Sequence, residues 1–230
     1  MNDHDTVSIL IPVYNGEAFL AEAIKSVLSQ TVPVSEILVA DDGSTDRSAE
    51  IAETFSKVRV LRLEHKGISA TRNALIREAT GKWILFLDAD DLLRADTVEK
   101  LLGYVGEHSE SEICFCRFRN FTDIPDDELT DRQRKVMNIL VDHYIPGALI
   151  RRELFTKHGD FEKQYAFGED TEWTARLSLR GVNLDHCLED VCYLRRIHND
   201  NITLSHRTIQ TKEYLSLWAK AIRNAGKRKD

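Results

Sequence analysis

No run of apolar residues in this chain approaches the ~20 that a membrane-spanning helix needs, so the sequence excludes such a segment. Proline is scarce, with 4 in 230 residues, and there is neither a low-complexity tract nor an internal repeat. A disordered or fibrous chain is thereby excluded. Cationic charge is in deficit: 31 Lys and Arg against 38 Asp and Glu leave a net charge of -7. That balance argues against a nucleic-acid binder, which needs cations to neutralise phosphates. An acidic chain that takes an anionic ligand needs a metal ion or a local basic cluster instead. Cysteine is limited to 4 residues. Cys114 and Cys116 flank a single residue, and Cys187 and Cys192 flank four, which is not the paired spacing of a structural zinc site. Buried, reduced thiols are expected. No spaced glycine triplet follows a strand pattern, which sets aside a dinucleotide site and a nicotinamide cofactor. The acidic start, Met1-Asn2-Asp3-His4-Asp5, lacks the basic segment and isolated apolar stretch of a signal peptide, so a cytoplasmic location is expected.

What is present is a rhythm. With 42% hydrophobic residues the chain can bury a sizeable core as one large domain or two closely packed halves. Apolar runs at 7–13, 36–40, 58–63, 83–87 and 113–118 alternate with helical patterns at 18–30, 44–55, 68–79 and 95–107. Strands that are almost continuously apolar, with helices between them, predict a mostly parallel open α/β sheet covered on both faces. In such sheets a ligand lies beyond the carboxyl ends of the strands. Three polar segments occupy those ends: Pro12-Val13-Tyr14-Asn15-Gly16, Asp41-Asp42-Gly43 and Asp88-Ala89-Asp90. After Asn120 the rhythm breaks into an acidic, turn-like stretch and a charged loop or exposed helix at 131–135. The boundary predicts a half at 1–120 that binds the first ligand and a less regular half at 121–230. The second half carries an apolar stretch at 144–150, a helix near 171–180, a strand near 191–196 and a last helix at about 208–225. Lys220, Arg223, Lys227, Arg228 and Lys229 make the far end basic. A solvated tail is the expectation there, with peripheral contact to an anionic membrane surface as the alternative.

The acidic segments admit specific chemistry. Asp88 and Asp90, two apart at the end of a strand, share a face and offer hard oxygen ligands to a Mg²⁺ or Mn²⁺ that bridges a diphosphate. The alternative is that they cap the helix beginning near Ala95, although Asp91 adds a third carboxylate that capping does not need. Asp41 and Asp42 precede Gly43-Ser44-Thr45-Asp46, which reads as a turn into a helix. One of those carboxylates is free to accept from a nucleobase N–H or a ribose hydroxyl, and Tyr14 offers a flat face for a base. Gly168-Glu169-Asp170 opens a helix, where a carboxylate is favoured by the dipole. At the edge of a cleft, Asp170 is also placed to take a proton as a general base. His198 is a candidate metal or phosphate ligand, or a surface residue.

These residues carry a resemblance. Val7-Ser8-Ile9-Leu10-Ile11-Pro12-Val13-Tyr14-Asn15-Gly16, Asp41-Asp42-Gly43-Ser44-Thr45-Asp46, Gly67-Ile68-Ser69-Ala70-Thr71-Arg72-Asn73-Ala74, Asp88-Ala89-Asp90-Asp91 and Glu169-Asp170 with Trp173 and Arg176 resemble, in order, the motifs of family 2 glycosyltransferases. The resemblance implies a GT-A fold and an inverting, metal-assisted transfer from a nucleoside diphosphate sugar to a carbohydrate or lipid-linked acceptor. Uridine diphosphate is the expected nucleotide, and surface polysaccharide or glycolipid assembly the expected setting. It implies that Pro12, Tyr14 and Asp42 cradle the nucleoside, with Arg72 near the ribose or phosphates. Asp88 would contact the ribose or the metal's water shell, Asp90 and His198 the metal, and Asp170 would be the base. The chain departs from the family at Glu64-His65-Lys66, where relatives often carry Asn or Gln. Two other readings compete: a haloacid-dehalogenase-like phosphatase with Asp88 as nucleophile and Asp90 as acid/base, and a non-catalytic sugar-nucleotide binder. The phosphatase signature belongs on a first strand, and here three βα units precede it.

Overall fold

Strand runs buried on both faces set the architecture. The computed structural model describes residues 5–137, 139–141, 144–164, 168–199 and 201. The helix expected at 208–225 and the basic end lie outside the described residues. In the first half, β1 (Val7–Val13), α1 (Leu20–Leu28), β2 (Glu36–Asp41), α2 (Ser48–Glu53), β3 (Val58–Arg62), α3 (Ile68–Glu78) and β4 (Trp83–Phe86) follow one another. They are succeeded by β5 (Leu92–Leu93), α4 (Thr97–Glu107) and β6 (Ile113–Phe121). The second half adds α5 (Asp131–Met137), β7 (Leu140–Val141), β8 (Leu149–Arg151), α6 (Glu153–His158), α7 (Glu169–Leu179) and β9 (Cys187–Arg196).

The sheet order is β3-β2-β1-β4-β8-β6-β9-β5, with β7 beside β6. Strands β1 to β4 pair in parallel, whereas β8 runs antiparallel to both β4 and β6. Along one strand the side chains alternate between two cores, as the pleat requires. Ile9 and Ile11 face α1 and α4 in one core. Leu10, with Leu38, Ile84 and Phe86, faces α3, α6 and α7 in the other. Each fully buried Leu, Ile or Phe contributes roughly 1.5–3 kcal/mol, so the two layers hold the strand ends in fixed register. No helix among the described residues is long and apolar enough to cross a membrane.

Several boundaries differ from the sequence pattern for physical reasons. The helix expected from Ser44 starts only at Ser48, because residues 44–46 are bonded to the β1 loop: Asn15 N–H donates to Ser44 Oγ and Thr45 N–H to Asn15 Oδ1. β9 begins at Cys187 and β6 continues to Phe121, since they pair in parallel over a long, irregular register. The expected apolar stretch at 144–150 forms only the short β8, preceded by Gly147 at φ +88°. A Cβ on Gly147 would lie 2.6 Å from the Tyr193 ring, so glycine lets β8 approach β9.

Candidate functional site

The carboxyl ends of β1, β2 and β4 gather the three polar segments on one edge. Pro12 is buried in β1 past Leu10, whose carbonyl accepts the Leu87 N–H, so its missing N–H faces a place where β4 has already ended. Tyr14 follows the strand and is 49% exposed. Its ring stacks on His65, with centroids 4.2 Å apart and planes at 27°. Gly43, at φ +73°, permits this arrangement, because a Cβ there would sit 2.9 Å from the His65 amide nitrogen.

Asp42 is turned inward. Its Oδ1 accepts the Lys66 N–H and its Oδ2 the Gly67 N–H, both at 2.9 Å. The His65 Nδ1 lies 2.9 Å from Oδ2 and 3.0 Å from the Asp42 carbonyl oxygen. Asp42 therefore holds the loop before α3, a role that the sequence pattern did not reveal. Asp41 accepts from the Ser44 N–H through Oδ2, and its buried Oδ1 has no hydrogen-bond partner among the described residues.

The turn after β4 separates the three aspartates by function. Asp88 and Asp90 lie beyond the last residue of β4, and the Asp91 N–H closes a turn on the Asp88 carbonyl. A shared strand face therefore does not describe them. Nor does helix capping: Asp96 stands at the N-cap of α4, and the two carboxylates point elsewhere. Asp88 accepts from Arg72 Nη2 at 2.8 Å and from the Tyr144 hydroxyl at 3.2 Å. Burial pushes the Asp88 carboxyl upward while Arg72 opposes it. Asp90 Oδ2 lies 3.0 Å from His198 Nε2. Asp91 is buried, accepting the Tyr193 hydroxyl and the Arg196 N–H, each at 2.7 Å. Burial raises its pKa well above the ordinary carboxylate range, reinforced by Asp90 and Asp88.

Arg196 fixes this turn from the other side. Its Nε donates to the Asp90 carbonyl at 3.0 Å, and its two Nη atoms pair with Asp123 and Glu22. The guanidinium lies over Phe19 and Phe121 at 5.0 and 4.5 Å. Tyr193 adds a second lock, since its hydroxyl also accepts the Asp88 N–H at 3.2 Å. The sequence marks both only as members of the run Tyr193-Leu194-Arg195-Arg196-Ile197-His198, not for this role, because each acts on a turn more than 100 positions away in the chain.

Arg72 is buried rather than open to the cleft. Nη1 pairs with Glu169 at 2.6 Å and Nη2 with Asp88 at 2.8 Å, and Phe86 and Phe161 flank the guanidinium at 5.6 and 5.9 Å. Its guanidinium is thus a strut between the β4 turn and the start of α7, and its buried Nε has no hydrogen-bond partner among the described residues. Glu169 is raised to about 7 by burial, with Arg72 pulling the other way. Asp170 follows it in the first turn of α7, and its Oδ1 accepts the Thr171 N–H at 2.7 Å and the Thr171 hydroxyl at 3.2 Å. Among the described residues, Asp170 Oδ2 has no hydrogen-bond partner.

The structure thus brings Asp88, Asp90, Asp170, Arg72 and His198 into one connected edge, with Pro12, Tyr14 and Asp42 beside them. Asp90 and His198 bring a hard oxygen and an imidazole nitrogen together from separate segments, a donor pair of the kind a divalent cation takes, although no group of three or more such residues is placed to hold a metal ion among the described residues. Asp91 is unsuited, being enclosed by Tyr193 and Arg196.

Known proteins share this framework. An uncharacterized glycosyltransferase of Bacillus subtilis, EpsJ, is 30% identical over 217 residues, covering 86% of this chain and 62% of EpsJ. The minor teichoic acid biosynthesis protein GgaA of the same organism is 27% identical, covering 91% of this chain and 51% of its own. Among solved structures, S. aureus TarS 1–349 in complex with UDP-GlcNAc superposes with a TM-score of 0.72 at 24% identity, over 87% of this chain and 61% of that one. The mannosyltransferase PcManGT from Pyrobaculum calidifontis, in complex with GDP-Man and Mn²⁺, gives 0.69 at 19% identity over 96% and 65%. The chain therefore spans less than two thirds of the length of each of these proteins. The family model described as glycosyl transferase family 2 matches residues 8–167, from the first strand to the threshold of α7. By that match the chain belongs to glycosyl transferase family 2, and its sheet is the GT-A fold of the glycosyltransferases it superposes on.

Proposed function

We propose that the chain transfers a sugar from a nucleoside diphosphate sugar to an acceptor hydroxyl, inverting the anomeric configuration. The observation that carries this reading is the buried sequence Asp88–Arg72–Glu169, which ties the acidic turn after β4 to the helix start bearing Asp170. Asp170 removes the proton from the acceptor hydroxyl through Oδ2, while Thr171 holds Oδ1. Tyr14 and Pro12 border the nucleoside, and Arg72 holds Asp88 toward the donor without touching the donor itself. Asp90 and His198 hold a divalent cation, Mn²⁺ or Mg²⁺, which when bound stabilises negative charge on the departing diphosphate as a Lewis acid.

The neighbours support the donor class, since TarS is solved with UDP-GlcNAc and PcManGT with GDP-Man and Mn²⁺. Uridine diphosphate is the nucleotide we expect. The named role of GgaA in teichoic acid biosynthesis supports an acceptor in cell-surface polysaccharide or glycolipid assembly. The phosphatase alternative falls with the family match, and both Asp88 oxygens are already hydrogen-bonded.

The test combines binding and turnover. Thermal shifts are measured with uridine, guanosine and thymidine diphosphate sugars, with and without Mn²⁺. A true donor at about 100-fold its Kd stabilises by about 2.7 kcal/mol, and the shift should depend on the cation. Asp170→Asn should bind that donor normally and lose about 10²-fold or more in turnover. Wild-type turnover in that variant would place the base elsewhere. A donor that binds but is never transferred or hydrolysed would make the protein a non-catalytic binder.

A further inference from the structure

Resting on the reading of a sugar-transfer site, we infer that Arg195 binds an anionic group, a phosphate or a carboxylate, carried by the acceptor. Strand directions set its place. β8 runs antiparallel to both β4 and β6, so β6 points the same way as β4, and β9 pairs in parallel with β6. The carboxyl ends of β6 and β9 therefore lie on the same edge of the sheet as the polar segments after β1, β2 and β4. Along that edge the order is β2-β1-β4-β8-β6-β9, which puts Arg195, one residue from the end of β9, on the opposite flank of the Asp88 turn from Tyr14 and Asp42.

A chain of contacts leads from Arg195 to that turn. Its guanidinium lies 6.0 Å from the centre of the Phe118 ring, Phe118 packs against Tyr144 with centroids 4.8 Å apart, and the Tyr144 hydroxyl donates to Asp88 Oδ2 at 3.2 Å. Burial raises the Tyr144 hydroxyl well above its ordinary pKa; the charge on Arg195 opposes that rise and the charge on Asp170 adds to it. Tyr144 thus lies within electrostatic reach of both. What sets Arg195 apart is its lack of a counter-charge. Arg72 and Arg196, which brace the same turn, each pair with two carboxylates. Arg195 is half-buried and, among the described residues, has neither an ion pair nor a hydrogen bond. Carboxylates outnumber cations 38 to 31 in this chain, so a shortage of partners does not explain it. An open guanidinium fork takes two oxygens of a phosphate or carboxylate at once. The donor's diphosphate is the other anion of this cleft, but the two arginines alternate along β9: Arg196 turns to Asp90, and Arg195 turns to Phe118, away from the proposed cation pair.

The probes are glycerol, glycerate and glycerol 3-phosphate, which share hydroxyls and differ in charge. Their Kd values are measured by calorimetry on protein saturated with UDP and Mn²⁺, or GDP where UDP does not bind, so that the donor's phosphate positions are filled. Wild type is compared with Arg195→Gln, Arg195→Lys and Arg119→Gln, with circular dichroism establishing that each is folded. Arg119 is exposed, alternates with Phe118 along β6 and controls for the loss of one positive charge. Wild type should bind one or both anions about 10-fold or more tighter than glycerol. Arg195→Gln should bring them to within about 2-fold of glycerol, Arg195→Lys should keep part of the preference, and Arg119→Gln should keep all of it. An undiminished preference in Arg195→Gln, or none in wild type, overturns the assignment and leaves the glycosyltransferase reading intact. A loss of about 10-fold or more in nucleotide affinity in Arg195→Gln would assign the residue to the donor's diphosphate and overturn it likewise. A wild type that binds none of UDP, GDP and TDP overturns both.

Discussion

Arg72 joins two of the site's carboxylates, Asp88 and Glu169, from a buried position. Its guanidinium is buried between two carboxylates and two aromatic rings. Arg72→Ala would strand Asp88 and Glu169 in a dry environment, and breaking a buried pair costs about 3–5 kcal/mol. A melting curve within a degree of wild type would contradict this. Lys cannot form the fork that reaches both carboxylates, so Arg72→Lys should rescue stability only in part.

Glu169 makes a separate, pH-dependent prediction. Its carboxyl is raised from 4.5 to about 7, chiefly by burial. An acid with a raised native pKa binds more protons folded than unfolded. Its stabilising contribution is whole below about 4.5 and is lost as pH rises through about 7. Glu169→Gln removes that loss, so the variant should gain on wild type by about 1–3 kcal/mol between pH 4.5 and 8. Urea unfolding at both ends of this range checks it, and a stability difference independent of pH would refute it. The acidic residues themselves were legible in the sequence, because carboxylates in pairs at strand ends exceed what a turn requires. Their partners were not. Tyr144, Tyr193 and Arg196 are ordinary residues locally, and their importance arises only when β6, β8 and β9 assemble beside β4.

At the level of elements, β8 depends on one glycine. Gly147→Ala introduces a Cβ 2.6 Å from the Tyr193 ring at φ +88°. Backbone strain of about 1–3 kcal/mol adds to the displacement of Tyr193 from Asp91. Gly103 lies inside α4 with nothing within 4 Å of an added Cβ, so Gly103→Ala should stabilise by about 0.5–1 kcal/mol. Denaturant unfolding of the two variants should move in opposite directions. The βα units were readable because each strand is long and apolar enough to announce itself. β5, β7 and β8 were not, since elements of two or three residues carry no periodicity and are defined by the strand they join.

For the whole molecule, one sheet crosses the point where the sequence rhythm changes. β6 runs through residues 113–121, and β9, from the far end of the described chain, pairs beside it and closes on β5. Among the described residues, the two halves expected from the sequence, divided at about residue 120, are therefore joined by shared strands rather than a hinge. Calorimetry should give a single cooperative transition with matching calorimetric and van't Hoff enthalpies. Two resolved transitions would mean that the halves fold independently.

The lock on Asp91 also bears on the order in which the protein becomes competent during synthesis. The acidic turn leaves the ribosome early, but the hydroxyl and amide that hold Asp91 belong to Tyr193 and Arg196. Until that late strand emerges, a nascent chain has the acidic motif without the contacts that hold its turn. A fragment ending before Val191 would still match the family by its motifs, yet would lack the residues that hold the turn after β4 in place.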